Sequence, residues 1–380
     1  MNLSFDDAQE ALRDAARSFL AEHSSSERVR QAMVSERGWS PDVWRRIGEE
    51  MGWPALLVPE EHGGLGLGAV ELVALMEEMG AALLCSPFFA SVCLGGTALQ
   101  IGGSEAQKAE HLPGIAAGTT VATVAYTEAN GRWGADAITA TARPDGQGFV
   151  LDGVKTYVPD GASADLLVVA ARMPGSTGET GVRLFVVAAD AAGLARRSLP
   201  TIDQTRRQGE VRLDGVRVAK DALLGEDDAE GWPVLSQTLD LALIGLAAEQ
   251  VGGAQRALDL AVDYAKQRVQ FGRPIGSFQA IKHKCADLLV AVESARSASY
   301  YAGAATAAGD PEVPVLASLA KAVCSDAYFR CAADAIQIHG GVGFTWELDC
   351  HLYFKRAKSS ETLLGDAAYH RERIAERIGL

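Results

Sequence analysis

DYAKQRVQFGRPIGSFQAIKHKCADLL, residues 263–289, is the most specific segment of this 380-residue chain. A helical stretch ends in the basic residues Lys266 and Arg268, a Phe-Gly-Arg-Pro corner follows, and a second helix restarts at Phe278. A guanidinium beside a glycine corner suits a pyrophosphate, because arginine offers a planar fork of donors and glycine lets a ligand approach the backbone. The same segment also fits a surface helical hairpin with an ordinary basic end.

A second glycine-rich segment, IQIHGGVGFTWELD, follows at residues 336–349. Gly340, Gly341 and Gly343 expose backbone amides beside Gln337, and such a loop can hold a phosphate or the edge of an adenine. A helix C-cap followed by a turn explains the same glycines without a ligand.

Around these segments the periodicity changes twice along the chain. It is helical from Phe5 to Thr119 and again over 234–268, 278–308 and 315–338. Between the helical parts come short β-branched runs: TVATVAYTE, GFVLDGVKTYVP, ADLLVVAARM, VRLFVVAA and GEVRLDGVRVAK. We predict an α+β multidomain protein, with a helical domain at 1–119, a β domain at 120–230 and a helical domain at 231–380.

This order argues against a dinucleotide-binding βαβ fold. The glycines of GGLGLG at 63–68 lack the G-x-G-x-x-G spacing and a preceding strand, so we interpret them as a loop between helices. The apolar stretch between Glu78 and Glu105 is long enough to span a membrane, but its prolines and paired glycines predict buried helices instead.

Composition limits the partners and the compartment. The formal net charge is -14, from 35 basic and 49 acidic residues, which would repel a nucleic acid. The six cysteines show no C-x-x-C spacing, and the first residues are acidic rather than basic and apolar. We therefore expect a reduced, cytoplasmic protein with no structural zinc, no export signal and no nucleic-acid partner.

The two glycine-rich segments together resemble signatures of the acyl-CoA dehydrogenase family. These signatures look like R-x-Q-F-G-x-P-I-x-x-F-Q followed by Q-x-x-G-G-x-G, and the order of helical, β and helical parts is similar as well. The resemblance implies an N-terminal helical domain, a middle β-barrel-like domain and a C-terminal four-helix bundle. It also implies a flavoprotein, generally a tetramer, that passes electrons to an electron-transfer flavoprotein or a similar acceptor.

The resemblance further implies which residues contact FAD. In the family, the bundle residues approach an FAD that is bound mainly by a neighbouring subunit, and the matching positions are Arg268, Phe271, Gly272, Gln337, Gly340 and Gly341.

The middle domain matches the family only in part. The family's T-E-P pattern at the flavin ring corresponds to Thr127, Glu128 and Ala129, so Tyr126 and Thr127 are expected flavin contacts. The family's W-I-T-N segment corresponds to residues 157–160, where Pro159 cannot donate a side-chain hydrogen bond to flavin N5. Tyr157 can still stack on the flavin.

The catalytic base is the largest departure. The family removes the α-proton of an acyl thioester with a carboxylate while the β-hydride goes to flavin N5. The usual base position, in an E-G-T sequence, corresponds to Leu364, and the alternative position on the first bundle helix corresponds to Ala242. Neither residue can take a proton.

Two carboxylates near these positions remain as candidates. Asp366 lies two residues after Leu364, but it also stands where it can cap the final helix. Glu249 shares a helix face with Ala242, in the apolar run LALIGLAAEQVGGA, and is either functional or part of a buried structural pair. We interpret His283 and His339 as structural.

Three functions are compatible with these features. The first is FAD-dependent α,β-dehydrogenation of an acyl-CoA, in fatty acid or sterol side-chain degradation. The second is a partner subunit that completes the flavin site of a hetero-oligomer, since members that lack the base resemble such subunits. The third is a structural scaffold that has kept only the fold.

Overall fold

The computed structural model describes residues 3–226 and 229–380. Its elements confirm the predicted order of helices, strands and helices. The N-terminal helices are α1 (Asp7–His23), α2 (Ser26–Val34), α3 (Pro41–Glu49), α4 (Ala69–Ala81), α5 (Thr97–Gly102) and α6 (Glu105–Ala116).

Helix α1 begins with a capping box: the Asp6 carboxylate accepts from the amide of Gln9, and the Gln9 side chain accepts from the amide of Asp6. The box satisfies two amides that the helix itself cannot pair.

The GGLGLG segment is a loop, as predicted. In the chain it lies between a 3-10 turn at Glu60–His62 and helix α4. Gly64 packs so closely on Val58 that a Cβ would lie 1.8 Å from the Val58 carbonyl oxygen. Close backbone packing therefore accounts for this glycine.

The apolar stretch before Glu105 forms several short buried pieces. They are the end of α4, a π-helical segment at Phe89–Gly96 whose residues are all buried, and α5. Within residues 3–226 and 229–380, no helix is both long and apolar enough to span a membrane. The prediction of buried helices is confirmed for the π-helical segment and the first turn of α5.

The strands of the middle part are β1 (Ala122–Ala125), β2 (Thr141–Pro144), β3 (Gly148–Pro159), β4 (Leu166–Arg172), β5 (Val182–Ala188), β6 (Leu194–Ser198) and β7 (Gln208–Ala219). They form one seven-stranded sheet in the order β1-β4-β2-β3-β7-β6, with β5 paired to β4. Its core contains Leu151, Val169, Phe185 and Val211. The five predicted β runs are strands, whereas β2 and β6 were not predicted because TARP is short and LARRS is polar and largely exposed.

The C-terminal part is helical, and its three long helices end within three residues of the predicted bounds. Helix α9 (Val313–His339) packs against α8 (Gln279–Ala307), α10 (Cys350–Thr362) and α11 (Ala367–Arg377), and its buried residues include the small side chains of Ala320, Cys324 and Cys331. Small side chains allow this close helix packing. The remaining elements are α7 (Gly231–Gln267), β8 (Val269–Gln270) and β9 (Arg273–Pro274).

Spatial contacts divide the chain into two compact units. One comprises residues 1–33, 69–85 and 243–380, and the other comprises residues 34–68 and 86–242. The predicted domain bounds at 119/120 and 230/231 stay a prediction.

Candidate functional site

A tight hairpin follows helix α7. Strands β8 and β9 pair in antiparallel fashion, and φ is positive at both turn residues, 53° at Phe271 and 76° at Gly272. Such a turn favours glycine or asparagine, so holding a phenylalanine there costs about 1–2 kcal/mol. The Phe271 side chain is also 92% exposed. A strained, exposed aromatic residue is typical of a functional position.

Arg268 stands immediately before this hairpin. Its amide donates to Tyr264 O and its carbonyl accepts from Ile275 N, both at 2.8 Å, so its backbone is fixed. The side chain is exposed, and among the residues that the structure describes none forms an ion pair with it. Arg273 differs, because its guanidinium lies 4.1 Å from the centre of the Phe278 ring. Arg268 is therefore available to an anionic ligand.

The second glycine-rich segment forms a 3-10 turn at Gly340–Phe344 after α9. Gly340 has φ 65° and ψ -146°, which a residue with a Cβ rarely adopts. A Cβ on Gly343 would lie 2.7 Å from His339 Cβ, whereas one on Gly341 would meet nothing within 4 Å. Gly343 is therefore required by packing, while the backbone at Gly341 and the neighbouring Gln337 are open to a ligand.

A ring stack brings the two segments to one end of the helical bundle. The rings of Tyr264 and His339 lie 4.2 Å apart at an angle of 26°. Tyr264 is one turn before Arg268, and His339 precedes Gly340. His339 Nδ1 also donates to Ala335 O at 2.7 Å, so its predicted structural role is confirmed. A free guanidinium and an open glycine backbone at one place fit a pyrophosphate such as that of FAD.

In the other unit, the predicted flavin contacts are held by reciprocal hydrogen bonds. The Thr156 amide donates to Thr127 O at 2.9 Å, and Thr127 Oγ1 donates to Thr156 O at 2.6 Å. Residues 126–128, which follow β1, are thereby tied to the end of β3. Because the Thr127 hydroxyl already donates, it can only accept a hydrogen bond from a ligand.

Tyr157 combines strain and exposure. Its φ is 56° and its side chain is 49% exposed, while Thr156 and Val158 on either side are buried. An aromatic face held outward in this way suits a flat ligand. The contact with flavin itself stays a prediction.

A buried ion pair that the sequence analysis missed lies beside these residues. Lys155 is fully buried, and its Nζ donates to Glu128 Oε1 at 2.7 Å and to Tyr126 O at 3.3 Å. Burial lowers the pKa of Lys155 to about 8. Burial would raise the pKa of Glu128, but the Lys155 ammonium and hydrogen bonds from Lys155, Thr139 and Ala140 outweigh it and lower that pKa. A lone lysine in the apolar run GFVLDGVKTYVP was the available signal, since a charge there requires a partner.

The structure gives no titrating side chain at either usual base position. Leu364 is buried with φ 61°, and Ala242 is fully buried on α7. Asp366, in contrast, caps α11: its Oδ1 accepts from the amide of Tyr369 at 2.8 Å. The predicted capping role is confirmed, and a catalytic role for Asp366 stays a prediction.

Glu249 lies in a buried ion pair within the bundle. Arg356 Nη1 donates to Glu249 Oε1 at 2.8 Å, and the two side chains are 3% and 6% exposed. The structural interpretation of Glu249 is confirmed, with a partner 107 residues along the chain. A catalytic role for Glu249 stays a prediction.

Two further titratable residues escaped the sequence analysis. Lys321 and His370 are buried, and both donate to backbone carbonyls around Leu364. Burial lowers the pKa of Lys321 to about 7 and the pKa of His370 to about 3. The only signal was a lysine within the apolar run VPVLASLAKAV.

Family models match most of the chain. The acyl-CoA dehydrogenase N-terminal domain matches residues 6–119, the middle domain matches 123–216 and the C-terminal domain matches 229–379. The chain belongs to the acyl-CoA dehydrogenase family. Its members are oxidoreductases, and the chain has their fold.

Known relatives resemble the chain over its whole length. Acyl-CoA dehydrogenase IpdE2 of Mycolicibacterium smegmatis is 35% identical over 97% of this chain and 98% of that protein. Butyryl-CoA dehydrogenase from Megasphaera elsdenii superposes with a TM-score of 0.91 at 27% identity, covering 100% of both chains. A chain of the ChsE4-ChsE5 complex from Mycobacterium tuberculosis gives 0.89 at 28% identity, covering 100% of this chain and 99% of that one.

Proposed function

We propose that this acyl-CoA dehydrogenase family member binds FAD and takes part in the α,β-dehydrogenation of an acyl-CoA thioester. The observation that carries the proposal is the stack of Tyr264 on His339, which puts the unpaired Arg268 and the open glycines at one end of the bundle. When bound, FAD supplies the acceptor for a hydride from the β-carbon.

Each predicted contact has a chemical role in this proposal. Arg268 pairs with the pyrophosphate, and Gln337 and the backbone of Gly340 and Gly341 hydrogen-bond the same cofactor. Phe271 and Gly272 form the hairpin tip that approaches it. The other unit contacts a different FAD of the assembly: Tyr157 covers one face of its flavin, while Tyr126 and Thr127 lie at its edge.

We expect the C-terminal residues to complete the flavin site of a neighbouring subunit. Phe271, Phe344 and Trp346 are 92%, 79% and 78% exposed, and aromatic residues are enriched in protein interfaces. A tetramer, either of this chain alone or with a second acyl-CoA dehydrogenase-like chain, would cover them.

For the base, geometry favours Asp366 over Glu249. Asp366 uses Oδ1 to cap α11 and has Oδ2 left to take the α-proton. A proton on Glu249 would instead remove its charge pairing with the buried Arg356 guanidinium, which is costly. We therefore propose Asp366 as the base of a self-sufficient enzyme and keep Glu249 as the alternative.

A partner chain that supplies the base is the second candidate function. Leu364 and Ala242 cannot titrate, and both remaining carboxylates already have structural partners. If this second function is correct, the partner chain carries the base, and the present chain completes the partner's flavin site. The ChsE4-ChsE5 relative is itself a complex of two differently named chains.

The proposal also covers the substrates, the electron acceptor and the cellular compartment. We propose acyl-CoA esters of fatty acids or sterol side chains as substrates and an electron-transfer flavoprotein or a similar protein as electron acceptor. We place the protein in the cytoplasm, because all six cysteines are free thiols, as expected in a reducing compartment.

The decisive experiment is the flavin absorption spectrum of the chain, purified alone and after coexpression with a neighbouring homologue. Bleaching by acyl-CoAs is then followed in Asp366→Asn, which keeps a capping side chain, and in Glu249→Gln. Loss of bleaching in one variant that retains FAD identifies the base. Bleaching only after addition of a partner, unchanged in both variants, supports the second function. If no flavin is bound under any condition, both functions are contradicted, and the structural scaffold is the function that remains.

A further inference from the structure

The loop between α10 and α11 has an unfavourable backbone. Leu364 and Gly365 have φ values of 61° and 110°. Leucine rarely adopts the left-handed region, and a Cβ at Gly365 would lie 2.4 Å from Tyr369 Cδ1. Such a loop keeps its shape only if its surroundings hold it.

Two buried side chains hold two carbonyl oxygens of this loop and one from the last turn of α10. Lys321 Nζ donates to Glu361 O at 3.0 Å and to Gly365 O at 2.8 Å. His370 Nε2 donates to Leu364 O at 3.1 Å. We call this arrangement of Lys321, His370 and the carbonyls of 361, 364 and 365 the loop clamp.

Lys321 uses all of its hydrogen-bond donors inside the protein, two of them in the loop clamp. Its third hydrogen bond goes to Ser325 Oγ at 3.0 Å, and Gln250 Nε2 donates to the same oxygen at 3.0 Å. All three protons of a lysine ammonium are thus used, and the side chain is completely buried. Lys321 therefore acts on the loop rather than on a ligand.

The tautomer of His370 determines which ring nitrogen donates a hydrogen bond to the loop. Its Nδ1 lies 3.4 Å from Ser318 Oγ, which can donate to it, so Nε2 carries the proton that bonds Leu364 O. Burial, together with the nearby Lys321 charge, lowers the pKa of His370 and keeps the ring neutral at physiological pH. A neutral ring in this tautomer has one donor, and the loop uses it.

We propose that Lys321 and His370 are positioning residues that fix the backbone of 361–366 and thereby place the side chains at 364 and 366 against the acyl-CoA. The inference rests on the proposed function, because the substrate's place beside this loop comes from it. Neither residue touches the reacting atoms. The charged groups that face Lys321 are Glu361 and Asp366 from the loop region and Asp326 on its own helix.

The first test is native-state hydrogen exchange of the full chain in its assembled form. In Lys321→Met we expect amides of the 361–370 peptides to exchange about tenfold faster than in the parent, with the core of α9 unchanged. Lys358→Met is the matched control, since Lys358 is exposed, and its Nζ donates to the Glu361 carboxylate at 3.0 Å and lies 5.1 Å from the centre of the Phe329 ring. Equal exchange of the loop in Lys321→Met and the parent overturns the proposal.

The second test separates positioning from stability. Lys321→Met and the milder His370→Gln are compared for FAD content and for affinity toward a non-reactive acyl-CoA thioether. We expect unchanged FAD and about tenfold weaker thioether binding in Lys321→Met, because a misplaced loop affects the acyl site and not the Arg268 hairpin. If Lys321→Met does not fold, His370→Gln carries both measurements. Faster exchange with unchanged thioether affinity refutes positioning, whereas a parent without FAD refutes the proposed function and leaves the exchange result valid.

Discussion

Arg356 Nη1 lies 2.8 Å from Glu249 Oε1 in the interior of the helical bundle, with almost no solvent access to either side chain. In such a place the partners depend on one another, because a charge that loses its counter-charge stays buried without compensation.

Glu249→Ala should therefore lower the free energy of unfolding by about 3–5 kcal/mol. Chemical denaturation followed by circular dichroism measures the change. The double variant Glu249→Leu with Arg356→Met should recover most of the loss, since it removes both charges of this pair. As a control, Glu49→Ala breaks the exposed Arg45–Glu49 pair and should cost less than about 1 kcal/mol. A double variant as unstable as the single one would contradict the expectation.

Arg268→Ala should weaken FAD binding by about 1.5–3 kcal/mol, through loss of a charge-assisted hydrogen bond to the pyrophosphate. That corresponds to roughly 10- to 150-fold in the dissociation constant, measured by fluorescence titration of the flavin-free protein. Arg330→Ala is the control, because Arg330 is exposed on α9 and only weakly paired, 3.6 Å from Asp287. Equal flavin affinity in both variants would show that Arg268 does not hold the cofactor.

Stability should fall as the pH is lowered from about 6.5 toward about 3, and His370 contributes to this fall. Its pKa is about 3 in the folded chain and about 6.5 in the unfolded chain, so within this window only the unfolded chain binds the proton. The contribution is about 1.4 kcal/mol per pH unit. Denaturation curves at several pH values should show a smaller slope for His370→Gln than for the parent. Parallel slopes would mean that His370 already titrates normally in the folded state.

Gly365→Ala should destabilise the protein by about 2–4 kcal/mol, because φ is 110° and the new methyl group would meet Tyr369 and His370 at 2.4 and 2.8 Å. Gly309→Ala separates the two causes, since Gly309 has φ 66° and open space around it. Its loss should be about 1 kcal/mol, the backbone part alone. Equal losses in the two variants, measured by thermal unfolding, would contradict the packing argument.

The fold could be predicted where the signal is local. Long helical periodicity fixed α7, α8 and α9, and alternating apolar runs indicated the longer strands, whereas β2 and β6 have too few apolar residues to show the pattern. The cap formed by Asp366 was predictable for the same reason, since its partner lies three residues away.

The site was predictable only in part, because its remaining contacts join distant residues. The sequence marked Glu249 as a buried carboxylate but not Arg356 as its partner. Lys321 sits in an apolar helix 44 residues from Gly365, and nothing in its neighbourhood indicates that it binds carbonyl oxygens. Chain topology, rather than local pattern, decides such pairs.

The side chains of the loop clamp donate hydrogen bonds to main-chain oxygens, which every amino acid carries. The hydrogen bonds that hold the loop therefore do not involve the side chain at position 364, and a substitution there leaves their acceptors in place. A single codon change there adds or removes a carboxylate in a fixed place. During evolution, a proton acceptor can then be gained or lost at this position while the architecture that surrounds it stays the same.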